Sequence, residues 1–276
     1  VLSTFGALPF ALSQETNLSF IDALFESISG LTTTGATVFT NLEDLPKSIL
    51  YYRQQLQWLG GIGIVVIAVS ILPMIGVGGM QIYKAETPGP IKDTKLTPRI
   101  AETANALFKI YVFLTVVCAI AYLVAGMSWF DALSHSFSTI SIGGFSTYDA
   151  SLGHFDNNAV LTIASIFMVV SGLNFALHYT AWHDRSIKSY ISDPEARLFV
   201  LVILFGILVT TYFLYTTASM PNEDILFVGV FQLISILTTT GFTTTEFHLW
   251  PSFLPFFLIL LSFFGACAGS TGGGIK

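Results

Sequence analysis

Three segments rich in threonine, serine and glycine interrupt an otherwise apolar chain: GLTTTGATVF (30–39), STISIGGFSTYD (138–149) and LTTTGFTTTEF (237–247). Their central glycines, Gly35, Gly144 and Gly241, are 109 and 97 residues apart. Backbone carbonyls and hydroxyls are the ligands that replace the hydration shell of a cation. Glycine permits the dihedral angles that aim successive carbonyls at one point. The repeated spacing therefore predicts three copies of a cation-coordinating loop.

A short apolar stretch precedes each glycine segment. The first two, FIDALFESISG and WFDALSHSFST, carry Asp22 and Asp131 at the same distance before the glycine, whereas the third has Val228 there. Such stretches are too short to span a bilayer and suit re-entrant helices. Irregular backbone is tolerated at membrane depth where it is buried in protein or lines a water-filled path. The repeating unit is therefore predicted to be helix, re-entrant pore loop, helix.

The composition is that of a membrane protein, with 53% hydrophobic residues, 10% charged residues and a mean hydropathy of +0.72. We read the first dozen residues as the end of a helix, and Cys118 and Cys267 as small buried hydrophobes. Five uncharged stretches are long enough to cross a bilayer. They are Gln54 to Tyr83, Ile110 to Phe130, Asn157 to Trp182, Leu198 to Asn222 and Phe247 to Ile275. These stretches predict an all-α, multi-pass integral membrane protein with five crossing segments, whose ends are broken or bent where glycine and proline crowd.

The charges predict an orientation. Most Lys and Arg residues lie in 84–109, in 185–197 and at Lys276, so these connections are predicted to be cytoplasmic. Most acids lie beside the glycine segments, which would then face outward at a mouth that concentrates cations. The alternative is ordinary solvated loop acids. The residues concerned are Glu15, Asp22, Glu26, Glu43, Asp44, Asp131, Asp149, Asp156, Glu223, Asp224 and Glu246.

Several further motifs resemble the Trk/Ktr/HKT superfamily of potassium transporters, and most closely its TrkH family. They are RQQLQWLGGIGI (53–64), LPMIGVGGMQIYKAETPGP (72–90), KLTPRIAETANALFKIYV (95–112), NFALHY (174–179) and GACAGSTGGGIK (265–276). The resemblance implies potassium uptake through a pseudo-fourfold pore, built from four linked units in one chain. It also implies a homodimer in the bacterial inner membrane, gated by a cytosolic nucleotide-binding subunit resembling TrkA.

The chain departs from this family in having three of the four units. We assign 1–83 to the first unit, 84–183 to the second and 184–276 to the third, and we expect an internal fragment that lacks the fourth. The alternative function is a non-transporting membrane scaffold or sensor that retains the transporter fold. The sequence offers no catalytic constellation, so we predict no enzyme activity, no cofactor and no nucleic-acid partner.

Site residues follow from the family motifs. In the selectivity filter, the residues implied to bind K⁺ are Thr33, Thr34, Gly35, Ile142, Gly143, Gly144, Thr239, Thr240 and Gly241. Flanking them are Ala36, Thr37, Phe145, Ser146, Phe242 and Thr243. Glycine at all three central positions goes, in this family, with a preference for K⁺ over Na⁺. The segment from Gly269 through Ser270, Thr271, Gly272 and Gly273 to Gly274 resembles a loop that obstructs the pore from below; the alternative is a flexible chain end.

Two polar groups on predicted spanning helices have no place in that filter. Arg53, with Gln57 one turn later and Trp58 beside it, is predicted to extend to the membrane interface, with support of the filter as the alternative. Asn174 and His178 share a helix face and are predicted to join transmembrane helices, with cavity lining as the alternative.

Overall fold

The computed structural model describes residues 1–63, 100–217, 221, 224–251 and 253–275. Within these ranges the regular structure is helical and no strand occurs. The helices are α1 (Leu2–Leu12), α2 (Phe20–Leu31), α3 (Lys47–Gly61), α4 (Ile100–Val124), α5 (Trp129–Ile140), α6 (Asn158–Ser171), α7 (Phe175–Asp184), α8 (Lys188–Ser192), α9 (Pro194–Thr216), α10 (Val230–Leu237) and α11 (Leu254–Phe264). A π-helical turn, Ile225–Gly229, leads into α10.

The short helices α2, α5 and α10 occupy equivalent places in three packing groups. Each packs against the helix before it, α1, α4 or α9, and against the helix after it, α3, α6 or α11. In addition, α3 packs against α5, and α6 packs against α10. The helix that ends one group therefore adjoins the short helix of the next, which sets the groups side by side in chain order.

The aspartate shared by the first two repeats caps a helix. At the start of α2 the Ser19 hydroxyl accepts a hydrogen bond from the Asp22 N–H and donates one to its carboxylate. At the start of α5, Ser128 and Asp131 repeat both contacts. An acidic residue in the first turn also complements the helix dipole. The third short helix has no such cap because it is entered through the π-helical turn.

Two of the predicted membrane spans are confirmed as single long apolar helices, Ala104–Val124 and Pro194–Thr216. Their large side chains, such as Val116, Ile120, Leu201 and Leu208, lie exposed on the outer surface. An apolar exposed surface is what a lipid-facing helix requires. The first residues are helical, as expected. The predicted stretch from Gln54 to Tyr83 lies mostly outside the described residues.

The two remaining stretches are not continuous helices, which agrees with the prediction of broken or bent ends where glycine and proline crowd. The stretch from Asn157 to Trp182 divides into α6 and α7, which meet at 90°. Asn174 causes the division, since its side-chain oxygen caps the first turn of α7. The only α-helix in the described part of the stretch from Phe247 to Ile275 is the 11-residue α11, which ends where Gly265 takes a positive φ of 60°, a conformation that favours glycine. The glycine-rich 269–274 thus lies beyond a helix end.

The buried apolar side chains form two clusters. One surrounds Phe10, Phe39 and Leu50 and holds α1, α2 and α3 together. The larger one runs from Tyr111 on α4 through Phe231 on α10 to Leu258 on α11, and it includes Cys118 and Cys267. Both cysteines are buried as predicted. The second and third groups therefore share one core, which fixes α5 and α10 relative to each other.

Candidate functional site

Each short helix ends in the same backbone motif, immediately before a glycine. The N–H groups of Thr34, Gly143 and Thr240 donate to carbonyl oxygens five residues earlier, at 2.8–2.9 Å. This bond belongs to a Schellman helix ending, in which the preceding residue is left-handed and is usually glycine. Here that residue is Thr33, Ile142 or Thr239, with φ of 54°, 55° and 68°.

A left-handed conformation at a β-branched residue is uncommon and costs about 1–2 kcal/mol. Its recurrence at three equivalent positions shows that the strain belongs to the repeated architecture. Gly35, Gly144 and Gly241 follow two residues later and are also left-handed, with φ of 78°, 78° and 84°. We call Thr33–Thr37, Ile142–Ser146 and Thr239–Thr243 the first, second and third glycine loops. They combine fixed glycines with an otherwise unfavourable backbone, which is typical of functional sites.

The three glycine loops converge, so that the first two central glycines each face the next loop. A Cβ added to Gly35 would strike the carbonyl oxygen of Gly143 and lie 3.6 Å from that of Thr240. A Cβ added to Gly144 would strike the carbonyl oxygen of Thr240. By contrast, no atom of the described residues lies within 4 Å of the corresponding point on Gly241. The loops therefore adjoin in the order first, second, third, with an open side beyond the third.

This arrangement brings together the central residues predicted from the sequence. Carbonyl oxygens from residues 143 and 240 lie within contact distance of glycines in neighbouring loops. Converging backbone carbonyls are hard oxygen ligands, suited to an alkali cation that has lost part of its water shell. The converging carbonyls can therefore bind a cation without any side-chain carboxylate.

Each short helix holds its own glycine loop through the side chain nine residues before the glycine. Glu26 accepts hydrogen bonds from the Thr37 hydroxyl and the Val38 N–H. His135 contacts the Ser146 hydroxyl at 2.9 Å. Gln232 accepts from the Thr244 N–H and donates to the Phe242 carbonyl. Sequence reasoning missed this set, although a polar residue at a fixed offset in all three copies was a signal for it.

Arg53 joins the first two glycine loops. Its Nε donates to Glu26 at 2.7 Å, one terminal nitrogen donates to the Thr37 hydroxyl, and the other donates to the Ser146 carbonyl. The guanidinium also lies 4.3 Å from the centre of the Phe145 ring. Only 1% of Arg53 is exposed, so the prediction that it extends to the membrane interface is wrong. Because Arg53 pairs with the buried Glu26 and bonds residues of both loops, the alternative prediction, that it supports the loops, is correct.

Two glutamines on α3 also bind the second glycine loop. Gln54 donates to the Phe145 carbonyl at 3.2 Å. Gln57 donates to the Gly143 carbonyl and accepts from the Phe145 N–H. The helix of the first group thus contacts the second loop on both sides of Gly144. Trp58, the residue after Gln57, donates a hydrogen bond to Thr115 on α4 and packs against Tyr111. Like Arg53, it therefore contacts other residues of the protein.

The acidic residues beside the loops do not all line an open mouth. Glu26 and Asp131 are buried, and their carboxylates accept hydrogen bonds from loop residues. Asp149 accepts from the N–H groups of Asn41 and Leu42, and so joins the connections that follow the first two loops. For Glu26 and Asp131 the prediction of a mouth acid is wrong. Their positions in the sequence could have indicated this role, because on a helix both residues face the loop that follows.

The glycine-rich segment Gly269–Gly274 packs against the ends of two short helices. The Thr271 hydroxyl donates to the Ile140 carbonyl at 2.9 Å, and the Gly273 N–H donates to the Thr239 hydroxyl at 2.9 Å. On its other side, the Phe175 N–H donates to the Gly269 carbonyl. The segment therefore lies between the α6–α7 bend and the helix ends that carry the second and third glycine loops.

Asn174 and His178, which their spacing predicts to share a helix face, have different hydrogen-bond partners. Asn174 caps α7, as described above. His178 contacts the Tyr190 hydroxyl at 2.7 Å and the Val170 carbonyl at 3.0 Å, and it borders a cavity of about 980 Å³. His178 thus both joins helices and lines a cavity, whereas Asn174 shapes the bend.

Comparison with known proteins agrees with this architecture. The model of the TrkH family, described as cation transport proteins, matches residues 1–276. The potassium uptake protein TrkH of Halomonas elongata is 56% identical over the whole chain, and that of Escherichia coli K12 is 53% identical. The chain spans 57% of the length of each.

A solved structure is also similar. The crystal structure of the potassium transporter TrkH from Vibrio parahaemolyticus superposes with a TM-score of 0.86 at 50% identity, covering 99% of this chain and 56% of that one. A family of transport proteins agrees with the prediction that the chain is not an enzyme. With the family model matched from the first residue to the last, the chain belongs to the TrkH family of cation transport proteins.

Proposed function

We propose that the protein containing this chain takes up potassium ions through a selectivity filter formed by the three glycine loops and a fourth loop from the rest of that protein. The observation that carries the proposal is the serial contact of Gly35 with the Gly143 carbonyl and of Gly144 with the Thr240 carbonyl. A ring of carbonyls replaces the hydration shell of K⁺. The open side at Gly241 leaves room for the fourth loop.

The proposed ion ligands are the carbonyls of the residues up to and including each glycine. In the first loop they belong to Thr33, Thr34 and Gly35. The second and third loops contribute the equivalent residues Ile142, Gly143, Gly144, Thr239, Thr240 and Gly241. Because the three loops differ in sequence, their preference for K⁺ over Na⁺ is less strict than that of four identical loops. The loops face outward, and the protein lies in the bacterial inner membrane as a homodimer.

Regulation is proposed to act through 269–274. This segment touches the helix ends just below the second and third loops, so a small displacement would open or close the path of the ion. A cytosolic nucleotide-binding subunit resembling TrkA would supply the displacement. The relatives named above are called potassium uptake proteins, which does not favour the scaffold or sensor alternative.

Growth of a transport-deficient strain on limiting potassium tests the proposal. Expression of the full-length gene is expected to restore growth, and the Gly144→Ala variant is expected to fail because its Cβ strikes the Thr240 carbonyl. Gly126→Ala is the matched control: Gly126 is also left-handed, but the added Cβ meets open space. Absence of rescue by the wild-type protein at normal membrane insertion would refute potassium uptake.

A further inference from the structure

Gln57 holds the second glycine loop by a bidentate contact that spans its central glycine, whereas both hydrogen bonds of Gln232 to the third repeat lie after Gly241. Its Nε2 donates to the Gly143 carbonyl at 2.5 Å, and its Oε1 accepts from the Phe145 N–H at 3.1 Å. The side chain is fully buried. One amide group therefore fixes the peptide groups on both sides of Gly144.

The contact is specific to the boundary between the first and second groups. The helices equivalent to α3 in the next two groups read NAVLTIASIFMVVS in α6 and LPFFLILLSFF in α11, without Gln, Arg or Lys. The third loop is held from the second group by different contacts, in which the Gly153 N–H donates to the Thr243 carbonyl and the Ser151 hydroxyl accepts from the Thr243 N–H, both beyond the glycine. Of these contacts, only that of Gln57 reaches a carbonyl on the N-terminal side of the central glycine.

We propose that Gln57 is a positioning residue that sets ion selectivity by orienting the Gly143 carbonyl, and this rests on the proposed function. A carbonyl that already accepts a hydrogen bond has a fixed direction and offers its remaining lone pair to an ion. Discrimination between K⁺ and Na⁺ depends on the number, field and freedom of the coordinating carbonyls. A loose Gly143 carbonyl could approach the smaller Na⁺ more closely. Gln57 therefore favours the larger ion.

Two substitutions separate the two hydrogen bonds of Gln57. Gln57→Leu removes both hydrogen bonds at similar volume. Gln57→Glu keeps an acceptor for the Phe145 N–H but removes the donor to the Gly143 carbonyl. The matched control is Gln54→Leu, which removes a buried amide from the same helix, with a single bond to the Phe145 carbonyl past the glycine.

The experiment measures K⁺ and Na⁺ uptake by the full-length protein in proteoliposomes, together with stabilisation against heat by each ion. Both Gln57 variants are expected to lower the K⁺/Na⁺ ratio about fivefold, the effect of losing the one hydrogen bond that both lack, to the Gly143 carbonyl. Gln54→Leu is expected to keep the ratio within about twofold. Heat stabilisation reports ion binding without transport, and the preference for K⁺ is expected to shrink in the same two variants.

Three results would overturn the proposal. The first is an unchanged ratio in a Gln57 variant that inserts normally; if Gln57→Leu fails to insert, Gln57→Glu provides this result. The second is an equal loss in Gln54→Leu, which would indicate general loosening of the loop. The third is a wild-type protein that takes up no K⁺, which refutes the proposed function itself and is recognised before any variant is compared.

Discussion

The buried ion pair between Arg53 and Glu26 is expected to contribute strongly to stability, and its loss can be estimated from the structure. Both side chains are at most 1% exposed and their charged atoms are 2.7 Å apart. Arg53→Met would leave the Glu26 carboxylate buried, with only the Thr37 hydroxyl and the Val38 N–H as donors. Removing one partner of a buried pair costs about 3–5 kcal/mol. The replacement also removes the hydrogen bond that Arg53 donates to the Ser146 carbonyl in the second loop.

The assay is thermal unfolding of the full-length protein in detergent at a single scan rate, because such unfolding is commonly irreversible. At roughly 2 °C per kcal/mol, Arg53→Met is expected to lower the apparent midpoint by roughly 6–10 °C. The double variant Glu26→Gln with Arg53→Met leaves no unpaired charge and is expected to lose less than Arg53→Met alone.

The control is Arg197→Met, which removes an exposed arginine from α9 and is expected to shift the midpoint by about 1 °C or less. A midpoint for Arg53→Met that matches this control would show that the pair contributes little. A double variant whose loss equals the sum of the two single losses would show that the two residues are not coupled. Either result would refute the reasoning.

Two further predictions concern transport by the full-length protein. Gly35→Ser places a Cβ against the Gly143 carbonyl in a left-handed backbone, so reversal potentials are expected to show a reduced preference for K⁺ over Na⁺. An unchanged preference at normal expression would show that Gly35 does not set it. Deleting Gly272 to Gly274 removes the Gly273 contact with Thr239, so ion flux is expected to rise and to depend less on the cytosolic subunit. Unaltered flux and regulation in a folded variant would contradict the proposed gate.

Local repeats made the helices and loops predictable. Asp22 and Asp131 lie at one offset because each hydrogen-bonds the N-cap serine of its helix, and the three glycines recur because each is left-handed. The repeated spacing of these residues therefore reflects the backbone geometry that the repeats share. The placement of short apolar helices before the loops followed, since 12 residues cannot span a bilayer.

Pairings between distant residues were not predictable in the same way. Arg53 meets Glu26 across two helices, and a charged residue near a helix end otherwise suggests the membrane interface. The bend before α7 was hidden by a continuous apolar run, although Asn174 supplied a cap signal inside it. The end of α11 was marked by Gly265, a common C-terminal residue, but the apolar stretch continued past it.

The close contacts between the glycine loops follow chain order, and this gives them a direction. Enlarging Gly35 presses on the second loop, and enlarging Gly144 presses on the third. A side chain at Gly35 would therefore reach both other loops, since its Cβ also lies 3.6 Å from the Thr240 carbonyl in the third. A Cβ added to Gly241, by contrast, meets no atom of the described residues within 4 Å. The same substitution consequently has a different reach in each of the three repeats: two loops at Gly35, one at Gly144 and none of the described residues at Gly241.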